Sequence, residues 1–288
     1  MARVNTVLPT LPEHTAMDRL LGCDIQGAGP GAILLHGSLG SRSECRALAA
    51  ELSRDHTVLT IDLLGYGEAA LPHNPVGFSL ADEATRVLAY AGRVFGPGAP
   101  FLLAGHGYGG AVALEIARLL PTRVAGLAVF EPECLALVED PMDRDLLDRL
   151  CDTVEALVEE NRLRDAARLV YDFWHGPEAF RALPAAKQLR LSGAARKLPL
   201  DVQALREASD APAAYAGITA PVLLAGGTQS FGCMHRVLAR LSRALPHAEC
   251  AWIEGDHAAM SEAPAQSNPR MAGFLRSAVQ HFDLALAA

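Results

Sequence analysis

The ten residues Phe101-Leu102-Leu103-Ala104-Gly105-His106-Gly107-Tyr108-Gly109-Gly110 decide the fold. The first four are apolar and read as a short buried strand. Glycines then make a tight turn, and Ala111–Leu120 has helical spacing and good helix formers. Strand, sharp turn and helix form the context of a nucleophile elbow, G-x-S-x-G. The frame here is Gly105-His106-Gly107-Tyr108-Gly109. Its flanking glycines let strand and helix approach closely. Its central position is Gly107, which tolerates the strained backbone of an elbow but carries no attacking atom.

Upstream of the elbow, Ala32-Ile33-Leu34-Leu35 is a buried strand candidate that runs into His36-Gly37-Ser38-Leu39-Gly40. Ser41 is placed to cap a helix reaching Arg54, Thr57–Ile61 reads as the next strand, and Leu80–Phe95 as a helix. Leu20–Ile25 has the composition of an edge strand. Downstream, Val124–Phe130, Pro221–Ala225 and Glu249–Ile253 are strand candidates, with helices over Phe231–Leu245 and Ser261–Leu284. Between Leu135 and Ala216 the strand signal stops. Asp143–Asn161, Leu163–Trp174, Pro184–Arg196 and Asp201–Ala208 have helical character instead.

This order of landmarks resembles the α/β-hydrolase superfamily, in which the elbow reads GHSYGG. The resemblance runs from Ala32 to the C-terminus and implies an α/β fold: a mostly parallel twisted sheet flanked by helices. It further implies a core domain of residues 1–134 and 217–288, and a helical cap of residues 135–216 inserted between the sixth and seventh strands. The H-G-x-x-G loop resembles the family's oxyanion loop, so the amides of Ser38 or Leu39 and of Tyr108 are the implied oxyanion donors. His106 and Trp174 complete the expected substrate-binding set. Asp62-Leu63-Leu64-Gly65-Tyr66-Gly67-Glu68 resembles a structural loop of the family, so Asp62 is not expected to be catalytic.

Glu254-Gly255-Asp256-His257 resembles the loop that carries the family's histidine, which makes His257 the expected base. The usual acid position, three residues after Gly227, is Ser230. Glu131, at the carboxyl end of a central strand, stands where some members place the acid, and where open parallel sheets bind ligands. With Gly107 no acyl-enzyme can form there, and the position is expected to be vacant, with room for water or substrate. A histidine, an orienting carboxylate and an oxyanion hole suffice for deprotonation. Three readings stand. The first is a non-hydrolytic enzyme catalysing an elimination or cyclisation on a small carbonyl compound; the superfamily contains such lyases in polyketide and tetronate biosynthesis. The second is a serine esterase with its nucleophile replaced by glycine, and the third a small-molecule binding protein.

Composition narrows the partners. The chain has 288 residues, half of them apolar, enough for one large α/β domain with an insertion. Net charge is −8 with no basic block, which argues against nucleic acid. Met1–Glu13 lacks the pattern of a signal peptide, no run has the ~18 apolar residues of a membrane span, and the six cysteines are scattered. A cytoplasmic monomer or homodimer with reduced thiols and no membrane association is expected. No His/Asp/Glu/Cys cluster has metal-ligand spacing, so no metal and no cofactor are expected.

Overall fold

The computed structural model of the protein describes residues 20–208 and 211–286. Met1–Glu13, read above for its lack of a signal peptide, lies outside them. Seven strands form one sheet: Cys23–Gln26 (β1), Gly31–Leu35 (β2), Thr57–Ile61 (β3), Phe101–His106 (β4), Val124–Phe130 (β5), Val222–Gly227 (β6) and Ala248–Ile253 (β7). Their order is β1-β3-β2-β4-β5-β6-β7. Every pairing is parallel except β1 with β3, so β1 is an antiparallel edge. The central strands β2, β4 and β5 are buried along their whole length. Their near-continuous apolar runs are what a sheet covered on both faces requires.

The helices are Arg46–Leu52 (α1), Leu80–Phe95 (α2), Gly107–Leu119 (α3), Pro141–Glu159 (α4), Leu163–His175 (α5), Ala179–Ala182 (α6), Ala185–Ala194 (α7), Leu198–Glu207 (α8), Gly232–Ala244 (α9), Ala259–Glu262 (α10) and Pro264–Leu286 (α11). Side chains alternate across the strands with period two, which splits the core into two layers. Ile33, Leu35 and Leu103 pack with Val87 of α2, Leu114 of α3 and Leu241 of α9. Ala32, Leu34 and Ala104 pack with Leu48 of α1 and Met271 and Leu275 of α11.

The strand readings fall within a residue or two of the observed bounds, except at the edge strand, where Leu20–Ile25 is expected and β1 begins at Cys23. Differences arise where local chemistry intervenes. Ser41 does not cap a helix: its hydroxyl pairs with that of Ser43, and a 3-10 turn over Arg42–Cys45 precedes the short α1. The expected closing helix is broken at Ala263, and α11 starts with Pro264, which suits a first helical turn. One N-terminal strand fewer than the family count is seen among the described residues, so the helical insertion falls between β5 and β6. Its described residues form α4–α8 and short 3-10 turns, and none joins the sheet. The insertion has its own apolar cluster, including Val154, Ala166, Phe180 and Leu198, into which Leu39 of the sheet-side loop inserts.

Candidate active site

The elbow is formed by steric necessity. A Cβ on Gly105 would lie 2.3 Å from the Gly109 carbonyl oxygen, and one on Gly109 would lie 2.3 Å from that of His36. Gly107 takes φ +52, the left-handed conformation that glycine adopts at least cost. It opens α3, so the first-turn amides, including that of Tyr108, have no partner within the helix.

Across the carboxyl edge of the sheet, Glu131 follows β5 with φ +42, a strained conformation for a non-glycine residue. That turn aims its carboxylate along the sheet. One oxygen accepts from the Gly227 amide at 2.6 Å, and the other lies 2.9 Å from Nδ1 of His257. Burial pushes the Glu131 pKa up, but the His257 ring, the Ser230 hydroxyl and the Gly227 amide pull it below its ordinary value. Burial pushes the His257 pKa down to about 4; His106 adds to this and Glu131 opposes it. The pair at neutral pH is therefore a carboxylate and a neutral imidazole. The Nδ1 proton is assigned by the carboxylate it faces, which leaves the Nε2 lone pair free. Asp256 does not compete for the ring, since it accepts from the Ala258 amide.

The remaining expected residues surround this pair. Trp174, at the end of α5, stacks on the His257 ring with centroids 4.2 Å apart and planes at 19°. Its neighbour Phe173 turns away and stacks on Phe231. His106 packs against His257 with ring centroids 4.6 Å apart, and its Nε2 donates to the His257 carbonyl at 2.9 Å, so it holds the loop that carries the base. Ser38 lines the cleft, but its hydroxyl donates to Asp201 at 2.7 Å. Leu39 has φ +61, with its side chain in the insertion's core. A cleft of about 610 Å³ opens above these groups, with Ser38, His106, Trp174 and His257 on its walls and Lys187 and Arg190 of α7 among its lining residues. Asp62 is buried and accepts from the Arg42 and Glu68 amides, which is the structural part expected for it. Among the described residues no group of three His, Cys, Asp or Glu could hold a metal ion.

The family model described as "Alpha/beta hydrolase family" matches residues 32–269. The chain belongs to the alpha/beta hydrolase family. Among curated proteins no sequence matches it. Solved structures of the same fold include an alpha/beta hydrolase from Sphaerobacter thermophilus, 25% identical, with a TM-score of 0.70 over 88% of this chain and 95% of that one. An enol-lactonase from Burkholderia xenovorans is 18% identical, with a TM-score of 0.72 over 89% and 96%. A thermophilic esterase from Thermogutta terrifontis is 20% identical, with a TM-score of 0.69 over 90% and 93%.

The place beside Gly107 is narrow. A Cβ built there would meet Oε1 of Glu133 at 3.1 Å and Nε2 of His257 at 3.2 Å. Glu133 also lies 3.7 Å from His257 Nε2, is buried, and lines the cleft. The sequence offers Glu133 only as an alternative to Glu131 for holding the histidine ring, because it follows a strand end by three residues, where direction is set by the turn. Here the turn is tied to the elbow: the Glu133 amide donates to the Gly107 carbonyl at 3.0 Å, and Pro132 packs on Gly110, where a Cβ would come within 3.0 Å. The run Glu131-Pro132-Glu133 beside a glycine elbow was the available signal.

A second missed feature lies behind the site. Lys197, Glu83 and Asp201 form a buried ion cluster. The Lys197 ammonium donates to Glu83 at 3.1 Å and to Asp201. Tyr66 donates to Asp201, and the Leu64 amide to Glu83 at 3.0 Å. Lys197 and Asp201 belong to the insertion, while Glu83, Tyr66 and Ser38 belong to the sheet side. The cluster therefore clamps the two together next to the oxyanion loop.

Proposed function

We propose that this protein is a non-hydrolytic enzyme in which His257, oriented by Glu131, removes a proton from a small carbonyl compound and drives elimination or ring closure. The observation that carries this reading is the pairing itself: a neutral imidazole whose Nδ1 is held by a carboxylate and whose Nε2 faces a place with no nucleophile. The carbonyl oxygen, becoming an enolate, is received by the Tyr108 amide and an amide of the Ser38–Leu39 turn. Helices α4–α8 act as a lid, with Trp174 excluding water from the base.

An imidazole whose basicity is lowered by burial is best matched to an acidified proton. Carbon flanked by two carbonyl groups, as in polyketide-type and tetronate-type compounds, meets that requirement, so a biosynthetic step on such a compound suits the site. The serine-esterase alternative draws on the 3.2 Å between a Gly107 Cβ and His257 Nε2, and a serine there would require the Glu133 carboxyl to shift by a few tenths of an ångström.

Ring opening of a nitrobenzisoxazole, which needs a base and no nucleophile, tests the reading. His257→Ala should lower the rate about 10²–10⁴-fold. Glu131→Gln should lower it less, since the base survives with poorer orientation. A His257→Ala variant as fast as the parent would end the proposal.

A further inference from the structure

Beside Gly107 stands a second acid–base group that the family's elbow does not supply. Glu133 stands on the Nε2 side of His257, opposite Glu131 on the Nδ1 side, so the imidazole lies between two carboxyl groups with different surroundings. Glu131 has a histidine and an amide to stabilise its charge. Glu133 has only the more distant Nε2 edge of His257 and the field of His106, and it is packed under the insertion against Gly107, between the main cleft and a small apolar cavity of about 50 Å³ that includes Leu147, Val154 and Leu205. A carboxyl group so placed keeps its proton. Burial, reinforced by Asp201 and opposed by His106, pushes its pKa up to about 8.

We propose that Glu133 is the general acid of this site, protonating the leaving oxygen of the substrate while His257 takes the carbon-bound proton. This rests on the general-base reading above and extends it to substrates that lose an oxygen group. His257 Nε2 takes the proton from the acidified carbon, and the C–H electron pair passes to the enolate. That pair then forms the C=C bond as the C–O bond on the neighbouring carbon breaks. Glu133 gives its proton to the departing oxygen, which leaves as a neutral alcohol or acid. The imidazolium and the Glu133 carboxylate are then 3.7 Å apart, and the proton passes from the former to the latter, restoring the starting state. No oxidant, metal or covalent intermediate enters the balance.

The test uses two β-ketoesters that carry, on the carbon next to the acidic one, a methoxy or a nitrophenoxy group. Methoxide needs protonation to leave and nitrophenoxide does not. Glu133→Gln should cost about 10²–10³-fold with the methoxy compound and under about tenfold with the nitrophenoxy one. The parent's rate with the methoxy compound should fall as pH rises through about 8, and this limb should be absent in Glu133→Gln. Equal losses with both compounds, or an alkaline limb that survives the substitution, would overturn the assignment. Infrared difference spectra of parent against Glu133→Gln, without substrate, give an independent arm: a protonated-carboxyl band at neutral pH is expected, and its absence overturns the proposal. If that band is present while His257→Ala eliminates from both compounds as fast as the parent, the general-base reading fails, and the acid assignment in elimination fails with it.

Discussion

Gly107→Ser restores the atom this elbow lacks, and the geometry sets what it should do. The residue sits at φ +52, where an L side chain costs about 1–2 kcal/mol. The new Cβ meets Glu133 Oε1 at 3.1 Å and His257 Nε2 at 3.2 Å, so the Glu133 carboxyl must withdraw by a few tenths of an ångström. A hydrogen bond from the serine to Nε2 returns about 1 kcal/mol. Gly107→Ala has no such return and should lose the full 1–2 kcal/mol, a fall in thermal midpoint of about 2–8 °C. Gly107→Ser should lose about 1 kcal/mol or less. The functional readout is labelling by a fluorophosphonate. The parent should not label. Gly107→Ser should label slowly, because Glu133 holds the face of His257 that would activate the serine. Gly107→Ser with Glu133→Ala should label at least about 10²-fold faster, the scale of an engaged general base. Labelling of Gly107→Ser as fast as the double variant would refute the placement of Glu133 in the nucleophile's position. Labelling of the parent would reveal a nucleophile elsewhere in the cleft.

Three further outcomes are expected. Lys197→Ala leaves Glu83 and Asp201 buried without their cation and should destabilise the protein by about 3–5 kcal/mol in chemical denaturation; combining Lys197→Met with Glu83→Gln and Asp201→Asn should recover most of that loss. Trp174→Ala uncovers the His257 ring, and since burial is the chief cause of its low pKa, the imidazole titration followed by NMR should move from about 4 toward its ordinary value. Glu133 binds its proton more tightly folded than unfolded, so its contribution to stability is present below the ordinary carboxylate range and is lost as pH rises through about 8. Glu133→Gln should accordingly raise the thermal midpoint relative to the parent above pH 8 and remove that alkaline decline.

The strand–turn–helix of the elbow, the strands around it and the candidates Glu131 and His257 were legible because each rests on short-range constraints. Gly105 and Gly109 are dictated by carbonyl oxygens 2.3 Å from any Cβ, and such close approach leaves glycine as the only residue that fits. Strand runs such as Val124–Phe130 declare themselves by unbroken apolar composition, because both faces of a parallel sheet are covered. Glu131 closes such a run, at the edge where ligands meet an open sheet. Loop and helix ends read less well, as at Ser41, where a neighbouring hydroxyl displaced the expected cap.

The amino-acid sequence by itself determined the α/β framework and the lack of a side chain at position 107, and it offered His257 and Glu131 as the candidate base and its partner. Only the tertiary structure decided what stands beside Gly107. Glu133 reaches that place through a turn pinned to the elbow by one amide and one proline contact. Trp174 reaches His257 across 83 residues of sequence separation, and Lys197 reaches Glu83 across 114. Such contacts leave no periodicity and no spacing in the chain, because the elements that carry them are positioned by packing against the sheet. The raised pKa of Glu133 follows from the same packing: its chief cause is burial, which no neighbour in sequence announces.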